Sequence, residues 1–148
     1  MANPVETELV DPIIARLQAA CPSLKKRVHG AGAFATISDR AKNYPTAYVV
    51  PEGEQAANND LGSQKHRQLI TVRFLIVLAV KGSQTGKNSV DPERIPLQEI
   101  KHALMGWSHP MSTYATNYQG NRLLAFKAPT LWRGLTFSFR LHEEGPTP

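Results

Sequence analysis

Acidic residues are missing from two long stretches of this 148-residue chain: none lies between Asp60 and Asp91, and none between Glu99 and Glu143. The same intervals hold Lys65, Arg67, Arg73, Lys81, Lys87, Lys101, Arg122, Lys127, Arg133 and Arg140, so the net charge of +5 is unevenly laid out. Such a layout permits a basic face aimed at an acidic protein surface or a nucleic acid backbone, with Arg73, Arg122, Arg133 and Arg140 as its candidate residues. The plainer alternative, solvated cations scattered over the surface, stays open because the charges never gather in one short run.

Cysteine is nearly absent. The lone Cys21 cannot form an internal disulfide, and its place after an apolar helical pattern reads as a small buried hydrophobe, not a reactive thiol. Long apolar runs are lacking too: the longest, Phe74 to Val80, is far short of the ~20 residues that a membrane span requires. The opening MANPVETELV has neither the basic nor the apolar region of a signal peptide. A soluble protein made in a cytoplasm, with no membrane partner, is expected.

Motifs that carry chemistry are also wanting. His29, His66, His102, His109 and His142 are widely separated, with no pair at metal-ligand spacing. There is no G-x-S-x-G, and Ser108-His109 lacks an orienting acid. Gly30 and Gly32 lack the third glycine of a dinucleotide fingerprint and, as read, a helix directly after them. In the Gly82, Gly86, Lys87 segment three residues separate the glycines where a P-loop has four, and Asn88 follows the lysine. The acid pairs Glu52/Glu54 and Glu143/Glu144 fall in an expected loop and tail, where solvation leaves nothing to tune them for proton transfer. No catalytic, metal or cofactor site is expected, and no enzyme. Tyr114, Tyr118, Trp107 and Trp132 flank basic residues, yet burial in a core or interface accounts for these rings better than base stacking.

What is present is organised around His66 to Lys81, HRQLITVRFLIVLAVK. In its first half Ile70, Val72 and Phe74 alternate with Thr71 and Arg73, the period of a strand with one wet face. From Leu75 to Val80 both faces are apolar. Such a strand is central in its sheet and is covered at that end, most economically by a helix.

The other segments read as its neighbours. Asp11-Pro12 is read as a helix start, with Asp11 as N-cap, followed by Ile13, Ile14, Leu17, Ala20 and Cys21 at helical spacing until Pro22 stops the run. Lys25 to His29 is read as a short basic strand, with a bend at Gly30 and Gly32. Tyr44 to Pro51 is read as a strand at an edge or near a strand end, because prolines bracket it.

Glu52 to Gln64 is a polar loop of a length that in compact domains tends to be functional. Gly82 to Val90 is a second polar loop. Glu52, Glu54, Asn58, Asn59, Asp60, Gln84 and Lys87 are therefore candidate partner-binding residues, on loop length and polarity alone. Asp91-Pro92-Glu93 repeats the helix-start signature, and Leu97, Ile100, Leu104 and Trp107 form the stripe of a lid over the long strand. Gly120-Asn121 is read as a turn, Arg122 to Phe126 as a short strand and Ala128-Pro129 as a break. In the closing strand, Leu131 to Leu141, Leu135, Phe137, Phe139 and Leu141 alternate with Thr136, Ser138 and Arg140.

The pattern predicts one domain over residues 1–148, with loose termini at 1–10 and 143–148. Its fold class is α/β (α+β): a mixed, mostly antiparallel sheet with two main helices packed on it.

Taken whole, this order resembles the tail terminator, or tail completion, proteins of tailed bacteriophages and prophages. The likeness runs from Asp11 to Leu141 through the early helix, the strand Pro45-Thr46-Ala47-Tyr48-Val49-Val50-Pro51 and the long strand Leu69 to Val80. It continues through Leu104-Met105-Gly106-Trp107-x-x-Pro110, its most telling piece, to the closing strand. The resemblance implies a structural protein without catalytic residues: a homohexameric ring that binds the tail tube protein, stops polymerisation and offers its other face to head or neck completion proteins. It would be assembled in the host bacterial cytoplasm, stand at the head-proximal end of the virion tail and let DNA pass through. Ring interfaces would also cover long strand edges that otherwise risk aggregation. The alternatives are another head–tail connector or minor tail protein, or a small basic nucleic-acid-binding module.

Overall fold

The long strand lies at the centre of the molecule, as its burial pattern predicts. The structure, a computed structural model, describes residues 5–36, 43–57, 67–82, 92–127 and 129–144. It contains β1 (Val28–Gly30), β2 (Thr46–Ala56), β3 (Arg67–Lys81), β4 (Asn117–Lys127) and β5 (Thr130–Glu144), with helices α1 (Asp11–Ala20), α2 (Ala31–Thr36) and α3 (Arg94–Leu104). One sheet of five strands runs β1-β2-β3-β5-β4. Only β1 and β2 pair in parallel; β2 with β3, β3 with β5 and β5 with β4 are antiparallel. The expected mixed, mostly antiparallel sheet is therefore found.

On one face, called here the helix face, Ile70, Val72, Phe74, Ile76, Leu78 and Val80 of β3 and Leu135, Phe137 and Phe139 of β5 meet Ile13 and Leu17 of α1 and Ile100, Ala103 and Leu104 of α3 in one core. Phe74 and Phe137 sit opposite each other in the strand register and their rings stack at 5.7 Å. Burying each ring stabilises the fold by about 1.5–3 kcal/mol. Polar contacts fasten α3 to α1 and to the turn after it: Arg16 Nε of α1 donates to the Ala103 carbonyl at 2.9 Å, and Glu99 accepts from both the amide and the hydroxyl of Ser23, in the Pro22–Leu24 turn, each at 3.0 Å. Arg16 thus reaches a carbonyl in the last turn of α3, the end where a cation is favourable.

The second face carries its own small core of Tyr48, Val77, Ala79 and Trp132, with Tyr44, Val50, Leu75 and Ala125 against it. This explains why β3 turns apolar on both sides from Leu75 onward. Tyr44 also bonds through its hydroxyl to Thr130. Farther along, where Arg73 and Arg140 stand, this second face opens to solvent.

Several local readings need correction. Asp11 does not cap α1, because a π-helical turn, Val5–Val10, runs straight into it and the position before the helix is Val10 in helical conformation. In place of the expected bend, Gly30 ends β1 and Gly32 lies in α2, and the basic strand shrinks to Val28–Gly30 because Lys25 and Lys26 both take positive φ. β2 is flanked by β1 over Ala47 to Val49 only; Pro45 precedes its first residue and Pro51 comes after β1 has ended, so the prolines stand at a strand end and at a locally open edge, as read. Gly120-Asn121 is not a turn. Gly120, at φ +135°, lies at a bulge inside the continuous β4.

Candidate functional site

The candidate residues divide among three places. Asn58, Asn59, Asp60, Gln84 and Lys87 lie outside the described residues. Glu52 and Glu54, expected in a loop, belong to the outer half of β2, which pairs with β3 as far as Ala56; Glu52 sits at the bulge between Pro51 and Gly53. Both glutamates are exposed.

The four arginines do not share one face. Arg73 pairs with Ser138, Arg122 with Gly134, and Arg140 with Thr71, which places these three on the face away from α1 and α3. Arg73 and Arg140 are diagonal neighbours there, and Arg140 lies over the Tyr114 ring at 4.9 Å. Arg122 shares a shallow pocket with Glu52, Asn121 and Thr136. Arg133 is the exception. It projects from the helix face, where its Nε donates to Glu93 at 2.9 Å and its Nη1 to Asn121 at 3.1 Å. It clamps the start of α3 to β5 and has a structural task, whereas Arg73, Arg122 and Arg140 are exposed.

Two further surface features escaped the sequence reading. β4 forms the outer edge of the sheet and exposes Leu123, Leu124 and Phe126. A bulge between Leu123 and Ala125 brings Leu123 and Phe126 onto the helix face together, opposite Arg133 and Leu131. In the sequence RLLAF reads as a short strand, and the polar run NYQGN before it hints at the edge. The second feature is a groove of about 330 Å³ lined by Glu8, Leu9, Pro51, Gly53, Glu54, Val72 and Met111. It lies where the Val5–Val10 turn passes over the outer half of β2 and β3, so no contiguous motif could reveal it.

Perturbed titrating groups are buried: Cys21, His109 and Tyr48, of which His109 bonds to the groove residues Leu9 and Met111. Burial, reinforced by Glu99 and opposed by Arg16, pushes the Cys21 thiol up to about 12. Burial lowers the His109 pKa, with the bond to the Leu9 carbonyl opposing. Burial raises that of Tyr48. Among the described residues no group of three or more His, Cys, Asp or Glu side chains gathers to hold a metal ion, and no helix is long and apolar enough to cross a membrane.

Among the described residues, the β4 edge with its exposed apolar side chains and the face carrying Arg73, Arg122 and Arg140 leave surfaces suited to contact with a partner. Comparison with known proteins agrees: residues 5–146 match the family described as "Phage tail terminator protein". The chain belongs to that family. The terminator is a structural protein of a phage tail, with its place in the virion. Among solved structures, a chain from the "Virion of native gene transfer agent (GTA) particle" superposes with a TM-score of 0.62 at 14% identity, covering 96% of this chain and 100% of that one, which shows a common fold. No curated protein matches.

Proposed function

We propose that the terminator assembles as a homohexameric ring that caps the tail tube at its head-proximal end, stops the tube protein from adding further, and presents its other face to head or neck completion proteins. The observation that carries this reading is the β4 edge. A terminator-family chain whose outermost strand runs eleven residues and leaves Leu123, Leu124 and Phe126 in solvent is built to be covered by a neighbour. A closed ring covers every such edge with one kind of contact.

The mechanism is capping by shape and charge, with no covalent step. Glu52 and Glu54 on the outer half of β2, together with the polar residues Asn58, Asn59, Asp60, Gln84 and Lys87, are the proposed contacts to tube or neighbour. Arg73, Arg122 and Arg140 supply a cationic face for an acidic partner surface or for DNA in passage. Light scattering on the purified protein tests the ring: a stable species near six times the 16.3 kDa chain mass is expected. A monomer at every concentration and salt, ignored by tail tubes, contradicts it.

A nucleic-acid-binding module is the second reading, carried by the neighbouring exposed Arg73 and Arg140. It predicts DNA affinity that falls steeply with salt and weakens on Arg73→Ala.

A further inference from the structure

Resting on the ring reading, we infer that the exposed apolar end of β4 in one copy seats in the groove beneath the Val5–Val10 turn of the next copy. The inserting side is Leu123 and Phe126, 52% and 46% exposed, with Ile95, 55% exposed, two residues beyond the Glu93 that grips Arg133 across from Leu123. These are large aliphatic and aromatic groups on one face of the sheet, held there by the β4 bulge. Arg94 stands exposed beside Ile95.

The receiving side has the opposite character in charge and a matching one in polarity. Leu9 and Val72 are buried among its lining residues, Pro51 and Met111 contribute further apolar surface, and Glu8 and Glu54 supply exposed carboxylates. An apolar insert flanked by the Arg94 cation thus meets an apolar groove bordered by the acids Glu8 and Glu54, which gives both burial and orientation.

One copy cannot satisfy itself. Val72 at the groove pairs with Phe139 on β5, whereas Leu123 and Phe126 pair with Arg133 and Leu131 of the same strand. Six to eight residues of strand separate the two levels, about 20–27 Å, and β3 and β5 lie between β2 and β4. The two surfaces are different, so the contact is head-to-tail, the kind that generates a ring when its rotation closes.

The test is oxidative cross-linking of the full-length double variant Leu123→Cys/Met111→Cys, with each single variant as control and light scattering on the same samples. Cys21 is fully buried and does not compete. The inference predicts a ladder of covalent multimers from the double variant and none beyond dimer from either single one. It also predicts that Glu54→Arg weakens association at least tenfold at low salt, with recovery on adding Arg94→Glu. A ring by scattering without a ladder overturns this docking and leaves the ring standing. Monomers without a ladder overturn both. Efficient dimers from Leu123→Cys alone overturn it in favour of a two-fold contact.

Discussion

Nε2 of His109 lies 2.8 Å from the carbonyl oxygen of Leu9, a hydrogen bond that joins residues 100 positions apart. The Met111 amide donates to Nδ1 at 3.0 Å, so the neutral ring carries its proton on Nε2 and donates it to Leu9. The ring also stacks on Phe139 at 4.7 Å. One buried imidazole thereby holds the Val5–Val10 turn, one wall of the groove, to the end of the sheet.

Because burial lowers the His109 pKa below its ordinary 6.5, the unfolded chain binds that proton more readily than the folded one. The stabilisation is complete above about pH 6.5 and is lost as pH falls towards the folded-state value. Urea unfolding at pH 7.5 and pH 5 should show stability falling with acidity, and falling less in His109→Phe. That variant should also lose about 1–3 kcal/mol at neutral pH, because the Leu9 carbonyl loses its donor. Equal pH slopes for the two proteins contradict the assignment.

Cys21 should be inert in the native protein. Its thiol, fully buried and pushed up to about 12, presents almost no thiolate at pH 8. A disulfide reagent should label it only as fast as the fold opens, and at once in denaturant. Rapid stoichiometric labelling of the folded protein would show that α1 does not pack as described.

The Glu93–Arg133 pair should matter more than a surface ion pair, since the two side chains are only 11% and 22% exposed. Removing Glu93 strands a half-buried guanidinium and is expected to cost about 1–3 kcal/mol. A double-mutant cycle with Arg133→Met should give a coupling of about 1 kcal/mol. Zero coupling would mean that the clamp between α3 and β5 does not hold.

Phe74→Ala should be among the most damaging substitutions, costing about 3–5 kcal/mol by denaturant midpoint, because Phe137 and Phe139 pack rigidly against the ring from the facing strand. A loss under 1 kcal/mol would contradict the central core.

The long elements were legible wherever burial imposed a period: β3 and β5 by alternation, α1 and α3 by their stripes. Misreadings arose where one residue type serves two geometries. Gly120-Asn121 has the chemistry of a turn, and the bulge within β4 uses the same freedom of glycine. The outer half of β2, Glu52 to Ala56, is exposed, so no apolar alternation marks it as strand. In the closing strand Arg133 falls in phase with Leu135 and Phe137 and Arg140 with Ser138, so alternation separates these two, but the partner of Arg133, Glu93, lies 40 residues away and no local pattern names it. The groove joins Leu9, Val72 and Met111, and the exposure of Leu123 and Phe126 follows from β4's edge position. Both depend on topology, which local patterning does not carry.

Ending a tail tube is the activity proposed for this protein. Its most direct test is electron microscopy of tubes polymerised with and without the purified terminator carrying a gold label. The account predicts label at one end only, together with shorter tubes that no longer elongate when fresh tube protein is added. Label scattered along the tube walls, or continued growth from labelled ends, would contradict it.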